Sequence, residues 1–204
     1  MTPPILQAIA DRRSTRDFLD RPVEVEKIEA MLEAGRLAPA ANGLSHVRVL
    51  VAEGGEEREV LRRAAYSFGA MQSAPLALLL MADRSIEPPY VEMINGWLED
   101  PTEAPIDLAG LRSGGGRPFQ LKVALEWAMM SVAIAGEHMM LQAVEMGLAG
   151  CWVHHFDHDD VREYLKLPDN MALVSLMAIG YASERPPATG GRTPLRWQPE
   201  GLRA

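Results

Sequence analysis

Near its start the sequence carries a short cluster of arginine and hydroxyl residues that matches the chemistry of a phosphate group. Arg12, Arg13, Ser14, Thr15 and Arg16 follow one another directly, where the first predicted helix ends. Guanidinium groups donate paired, charged hydrogen bonds to phosphate oxygens, and hydroxyl groups add further donors. The chain as a whole is acidic, with a formal net charge of −8. The cluster therefore predicts a local site for a small anion, and the alternative is a basic turn exposed to solvent.

A second cluster holds three histidines and three aspartates between residues 154 and 160. Such side chains can bind a divalent metal, but their spacing fits none of the strong zinc patterns. Asp157 or His158 suits the N-cap of a following helix, and Asp159 and Asp160 suit its first turn because the helix dipole favours negative charge there. We predict helix capping here and no metal site.

Composition excludes several classes of protein. The negative net charge argues against a general nucleic-acid binder, which needs a basic surface. The longest apolar run, at 74–82, is far shorter than the roughly 20 residues that span a bilayer, and the first residues lack the apolar core of a signal peptide. Cys151 is the only cysteine and lies in an apolar segment, so we interpret it as inert packing in a reducing compartment. We expect a cytoplasmic protein that contacts no membrane.

The elements that must position these groups follow from hydrophobic periodicity. Helices are predicted at 5–12, 25–35, 56–65, 119–146 and 158–167, and strands at 47–52, 75–81, 151–153 and 172–179. Interspersed helices and strands indicate one α+β or mixed α/β domain over residues 1–204. Residues 84–118 are rich in proline and glycine, so we expect an irregular lid or insertion there. Residues 182–204 are expected to form an extended tail.

The predicted helix at 119–146 has apolar residues on nearly every side. One stripe has spacings of four, four, three and four residues and comprises Phe119, Val123, Trp127, Met130 and Ile134. A helix of this kind is buried on most sides, and so small a chain provides little cover for it. We expect a second copy of the chain to supply the rest as a homodimer. The alternative is the central core helix of a monomer.

Four segments resemble, in order, the motifs of the nitroreductase family of FMN-dependent, NAD(P)H-linked oxidoreductases. They read IADRRSTRDF, AGRLAPAANGLSHVRVLVA, AIAGEHMMLQAVEMGLAGCW, and LMAIGYASERPP followed by GRTPL. The matches span nearly the whole chain except residues 84–118. The resemblance implies an α+β fold in which helices flank a mixed sheet. It also implies an intertwined homodimer that binds one FMN per subunit at its interface.

The resemblance implies a role for the arginine cluster. Arg12, Arg13, Ser14 and Arg16 would hold the phosphate, the ribityl chain and the pyrimidine side of FMN. Arg192, in the tail, would add a contact to the phosphate. The anion site predicted from residue chemistry would then be the phosphate end of a flavin mononucleotide.

Two further segments would contact the flavin ring. The segment implied to lie along the flavin from the other subunit comprises Pro39, Ala40, Ala41 and, at the family's asparagine position, Gly43. His154 and His155 take positions whose backbone N–H groups face flavin N5 and O4, so their amides matter more than their imidazoles. An amide donor at N5 stabilises the reduced flavin, and the flavin itself does the redox chemistry.

The sequence departs from the family pattern at the ring side. Ala40 replaces a serine, the run at 45–47 replaces Gln-Pro-Trp, and two histidines stand at 154–155. In the tail, Gly190 replaces a basic residue. These changes predict an intact phosphate site beside an altered flavin edge and substrate pocket.

The implied mechanism is ping-pong. NAD(P)H delivers hydride to flavin N5 and leaves, and a small acceptor such as a nitro compound or a quinone then takes the electrons. No side chain need act as a catalytic acid or base. Two alternatives stay open: a specialised flavoenzyme that does not use NAD(P)H, and a non-catalytic flavin-binding protein.

Overall fold

The computed structural model describes residues 4–40, 46–66, 68–85, 87–100, 102 and 121–187. Over these residues the chain forms seven helices and four strands. The helices are α1 (Pro4–Asp11), α2 (Val25–Arg36), α3 (Gly55–Ala64), α4 (Gly69–Ser73), α5 (Glu87–Glu99), α6 (Leu121–Glu145) and α7 (His158–Leu165). The strands are β1 (Val47–Ala52), β2 (Leu76–Asp83), β3 (Ala149–Val153) and β4 (Met171–Gly180). The predicted α+β class is confirmed.

The four strands form one sheet in the order β1-β2-β4-β3. All three pairings between neighbouring strands are antiparallel, so the described part of the sheet is not the mixed sheet that the resemblance implied. Parallel pairing occurs among the described residues as an isolated bridge between Ser14 and Gly150.

Strand β2 is buried on both faces, as its apolar sequence predicts. Side chains alternate between the two faces of a strand, so Leu76, Leu78 and Leu80 enter one core and Leu79 enters the other. The first of these cores contains α2 and α6, and the second contains α3, α4 and α7. Burying one such leucine contributes ~1.5–3 kcal/mol, which makes β2 the centre of the fold.

Helix α6 lies directly on the sheet because it carries a glycine at the closest point. A Cβ atom on Gly136 would lie 2.3 Å from Cη2 of Trp152 and 2.7 Å from Cδ1 of Leu80. Trp152 of β3 fills this space and its indole Nε1 donates to Glu137 Oε2 at 3.3 Å. The contact fixes the position of β3 relative to α6.

One apolar surface remains uncovered in the single chain. Ile5 is 72% exposed, Leu37 is 64% exposed and Met130 is 54% exposed. Pro4, Ile5, Leu37 and His138 are among the residues that line a cavity of about 380 Å³ between α1, α2 and α6. The apolar stripe on α6 is therefore not fully buried within the described part of one subunit.

Helix α5 occupies part of the segment that was expected to be irregular. Pro88 and Pro89 stand in its first turn, where a missing N–H costs no hydrogen bond. The expectation of irregular structure is therefore wrong for Glu87–Glu99, while residues 103–118 lie outside the described part. The expected tail is described only to residue 187, and its start is held by a bridge between Phe18 and Ala182. No helix within the described residues is long and apolar enough to cross a membrane.

Candidate functional site

The basic segment that follows α1 runs along the outer edge of β3. The N–H of Thr15 donates to the carbonyl oxygen of Gly150 at 3.1 Å, and Ser14 forms the parallel bridge with Gly150. Three residues beyond Thr15, the N–H of Phe18 donates to Ser73 Oγ at 3.1 Å. Main-chain hydrogen bonds therefore fix the segment at both ends, so the directions of its side chains are set by the sheet.

Arg12 and Arg16 are both close to Cys151 of β3. Burial raises the pKa of the Cys151 thiol above its ordinary value, and the positive charges of Arg16 and Arg12 partly oppose that rise. The thiol is 3% exposed and stays protonated, so it acts as packing and not as a nucleophile. Both arginines are therefore near enough to β3 for their positive charges to act on Cys151.

Within the described residues, no carboxylate neutralises the charge of Arg12 or Arg16. Neither side chain forms an ion pair within the described part of the chain, although six other arginines do. Those six are Arg21, Arg36, Arg48, Arg62, Arg63 and Arg185. Two guanidinium groups that act on the same part of β3 and have no carboxylate partner among the described residues are suited to an anionic ligand.

Arg13 is directed away from this pair. Its Nη1 donates to the carbonyl oxygens of Ala10 and Arg12, the latter at 2.8 Å, at the end of α1. It lines a separate cavity of about 430 Å³ together with Arg185. Its Nε is buried with no hydrogen-bond partner among the described residues. The guanidinium of Arg13 is therefore committed to the carbonyls that close α1, whereas the charges of Arg12 and Arg16 act on Cys151 of β3.

At the end of β3 the structure places two exposed histidines. The ring of His154 stacks on Trp152, with centroids 5.8 Å apart, and the ring of His155 lies 4.9 Å from that of Tyr66. Within the described residues, neither backbone N–H donates a hydrogen bond. Buried Phe156 follows them and anchors the turn. Two adjacent amide donors are therefore held in place and left unused.

The turn after these histidines is fixed by a helix cap. The Asp157 side chain accepts hydrogen bonds from the N–H groups of Asp159 and Asp160 at 3.1 and 3.0 Å. Its own N–H donates to the carbonyl oxygen of Ala64 in α3 at 2.9 Å. Capping of α7 by Asp157 is thus confirmed. Across the described ranges, no group of three or more His, Cys, Asp or Glu residues is placed to hold a metal ion.

Pro39 and Ala40 lie at a different place from the arginines. They line a cavity of about 250 Å³ between α2, β1 and α6, together with residues such as Gly35 and Met139. The described part of one subunit does not bring them to the amides after β3. The predicted site residues Ala41, Gly43 and Arg192 lie outside the described residues.

The sequence profile of the nitroreductase family matches residues 9–181, which is most of the chain. The chain belongs to the nitroreductase family. A nitrobenzene nitroreductase of Ectopseudomonas oleovorans is 30% identical over 209 residues, covering 91% of this chain and 90% of that protein. The predicted family is confirmed, and with it the prediction of an oxidoreductase.

Solved structures of the nitroreductase family share the fold. A nitroreductase family protein of Clostridium difficile 630 has a TM-score of 0.67 at 30% identity, covering 96% of this chain and 95% of that chain. An NADPH:FMN oxidoreductase of Vibrio harveyi, complexed with NAD+, has a TM-score of 0.71 at 22% identity, covering 95% of this chain and 74% of that chain. The nitroreductase-like fold expected from the sequence is therefore confirmed.

In this nitroreductase-family chain, sequence reasoning missed the contribution of α4 and the turn before it. Tyr66 has a positive φ of 49° and is 57% exposed, which is unusual for a large aromatic residue. Phe68 places its ring 5.9 Å from Cζ of Arg16, and Ser73 accepts from Phe18. The sequence at 64–70 alternates small and aromatic residues and has no helical or strand periodicity, so it does not predict the contacts of these side chains.

Proposed function

We propose that this member of the nitroreductase family is an FMN-dependent oxidoreductase that takes electrons from NAD(P)H and passes them to a small organic acceptor, such as a nitro compound or a quinone. One observation carries the proposal. The unneutralised pair Arg12 and Arg16 and the unused amides of His154 and His155 lie along the same strand, β3, and its continuation.

The spacing of these two features suits an elongated ligand. Cys151, beside the arginines, precedes His154 by three residues, which is ~10 Å of extended chain at ~3.3 Å per residue. A ligand that satisfies both features needs an anionic end, a linker and a flat end with hydrogen-bond acceptors. FMN has this construction, with a phosphate, a ribityl chain and an isoalloxazine ring.

Each group of residues would have a distinct task in holding FMN. Arg12 and Arg16 would bind the phosphate through charged hydrogen bonds, and the exposed hydroxyl of Ser14 would add a donor beside them. Arg13 would support the turn by binding the carbonyls at the end of α1. Arg192, outside the described residues, would contribute from the tail.

The amides of His154 and His155 would bind the polar edge of the ring. When bound, FMN supplies the acceptance of hydride from NAD(P)H and its delivery as electrons to the acceptor. Backbone donors already held in place stabilise negative charge at the ring without reorganising, which is the effect of a preorganised oxyanion site. The anchors on either side, Trp152 and Phe156, keep these donors from moving.

A second copy of the chain would complete the site. The exposed apolar side chains of α1, α6 and the residue after α2 form a surface that a partner subunit would cover. Pro39, Ala40, Ala41 and Gly43 of that partner would then lie along the ring. This arrangement explains why Pro39 and Ala40 lie away from the arginines within one subunit.

The relatives support the electron donor and the cofactor. The Vibrio harveyi protein of the same fold is an NADPH:FMN oxidoreductase. The Ectopseudomonas protein acts on nitrobenzene, according to its name. The names of these similar proteins thus include an electron donor, NADPH, and a nitro acceptor, nitrobenzene, of the kinds proposed here.

Anaerobic mixing of the flavin-loaded protein with NADH or NADPH tests the proposal. We expect the flavin absorption to bleach with at least one of them, and a quinone or a nitro compound to restore it with steady turnover. Bleaching with neither nucleotide would contradict the NAD(P)H role and favour a specialised flavoenzyme. Bound flavin without turnover of any acceptor would favour a non-catalytic flavin-binding protein.

A further inference from the structure

Arg58 of α3 is a buried cation with no ion-pair partner among the described residues. Only 9% of its surface is exposed, and no carboxylate within the described residues forms an ion pair with it. Its Nη1 has no hydrogen-bond partner there either. An unpaired buried cation costs stability, and an apolar side chain of similar volume is often no worse. The presence of arginine therefore points to a group that it must hold.

That group is the C-terminal end of α4. Nη2 of Arg58 donates to the carbonyl oxygen of Met71 at 2.5 Å and to that of Ala74 at 2.7 Å. Helix α4 has five residues, too few to be stable by its own hydrogen bonds. Its last carbonyls have no partner within the helix, so the guanidinium takes the place of a C-cap.

Helix α4 in turn contacts the segment that carries Arg16. At the start of α4, the Phe68 ring lies 5.9 Å from Cζ of Arg16, and a Cβ on Gly69 would lie 3.5 Å from the Arg16 carbonyl oxygen. At its end, Ser73 Oγ accepts a hydrogen bond from the N–H of Phe18. Both ends of α4 therefore brace the same three residues, 16–18.

We propose that Arg58 is a positioning residue that fixes Arg16 through α4 and thereby sets the preference of the site for phosphorylated flavin over riboflavin. This inference rests on the proposed function, because it takes Arg16 to bind the phosphate of FMN. In this proposal Arg58 acts through α4 and not by contacting the ligand. The effect is expected at the phosphate end, because α4 contacts the arginine segment, whereas the turn after β3 is held by Ala64 of α3.

The test compares the affinities of the full-length protein for FMN and for riboflavin, which lacks the phosphate. We expect Arg58→Met to lower the ratio of the two affinities about tenfold, which corresponds to ~1.4 kcal/mol of lost phosphate binding. Arg58→Lys keeps one charged donor for the α4 carbonyls and should restore most of the ratio. Arg63→Met is the matched control, because Arg63 lies on the same helix with its side chain 58% exposed and should leave the ratio unchanged.

A double-mutant cycle with Arg16→Ala separates positioning from general loss of stability. If Arg58 acts through Arg16, the Arg58→Met change has no further effect on the ratio once Arg16 is absent. An unchanged ratio in Arg58→Met, or an equal drop with and without Arg16, would overturn the inference. If Arg58→Met does not fold, the same cycle is measured with Arg58→Lys. A smaller decrease in the ratio of FMN to riboflavin affinity would then support the inference, and an unchanged ratio would refute it. A wild-type protein that binds no flavin, or binds FMN and riboflavin equally, would instead refute the proposed function on which the inference rests.

Discussion

The ring of Tyr66 lies 4.9 Å from the imidazole of His155, and Tyr66 reaches that position with a left-handed backbone at φ 49°. A non-glycine residue in this conformation costs of order 1 kcal/mol or more, and such strain is common next to functional sites. The contact joins the turn between α3 and α4 to the residues after β3. The two segments proposed to face the flavin ring and to support the phosphate site therefore meet at this pair.

Replacing Tyr66 with glycine tests separately the effects of its left-handed backbone on stability and of its aromatic ring on acceptor binding. Glycine adopts a positive φ freely, and the lost ring is 57% exposed, so we expect the free energy of unfolding to change by no more than about 1 kcal/mol. The KM for the organic acceptor should rise several-fold because an aromatic surface beside His155 is lost. Thermal unfolding and steady-state kinetics measure the two effects. Tyr66→Ala is the control, since it loses the ring but keeps the strain, and a Tyr66→Gly protein less stable than Tyr66→Ala would contradict this explanation.

Removing both phosphate-binding arginines should weaken FMN binding strongly. Charged hydrogen bonds contribute ~1.5–3 kcal/mol each, so Arg12→Ala with Arg16→Ala should cost several kcal/mol of FMN affinity. Riboflavin affinity should change little, because it has no phosphate. Equilibrium dialysis with each flavin measures both. Equal losses for the two ligands would show that these arginines do not bind the phosphate.

The Tyr181 hydroxyl should make stability depend on pH in acid. Its hydrogen bond, followed by smaller contributions that include Arg21, lowers the pKa of Glu24 from 4.5 to about 2. A carboxyl group with a lowered folded-state pKa stabilises the fold fully above its unfolded pKa and loses that contribution as pH falls. Stability should therefore decrease from pH 4.5 towards pH 2.

Tyr181→Phe tests the origin of that dependence. The variant should move the pKa of Glu24 back towards 4.5, as measured by an NMR titration of the carboxyl carbon, and flatten the pH dependence of urea unfolding in this range. Glu24→Gln, which cannot titrate, should flatten it as well. An unaltered Glu24 titration in Tyr181→Phe would be evidence against the hydrogen bond as the main cause.

Gly136→Ala should destabilise the protein because the new Cβ would lie 2.3 Å from the Trp152 ring. Overpacking costs typically ~1–3 kcal/mol, and the better helix propensity of alanine offsets up to about 1 kcal/mol of it. Gly96→Ala in α5 is the matched control, since no heavy atom lies within 4 Å of its added Cβ. That control should be neutral or stabilising by chemical denaturation. A stable Gly136→Ala protein would show that α6 and β3 are not in close contact.

The elements with a strong periodic signal could be predicted from the sequence. Strand β1 has the predicted bounds, and β2, β4 and α6 were found to within a few residues, because a buried strand and a long apolar helix leave clear patterns. Helix α4 was missed because its five residues are held by Arg58, a contact from a distant part of the chain. Helix α5 is not predicted by the sequence pattern, because its first turn contains two prolines and prolines usually indicate irregular structure.

The sequence predicts which segments contribute to the site, but not how the individual side chains of the arginine cluster are directed. Residue types alone located the arginine cluster and the N-cap at Asp157, since both rest on local chemistry. They could not show that Arg13 turns back to the α1 carbonyls while the charges of Arg12 and Arg16 act on Cys151. The positions of neighbouring side chains depend on the β3 edge against which the segment packs, and that edge lies far away in sequence.

The absorption spectrum of the purified protein tests the central claim most directly. We expect a yellow protein with bands in the flavin region, and release of FMN as the sole flavin when the protein is denatured. A colourless protein that also fails to take up added FMN would contradict it.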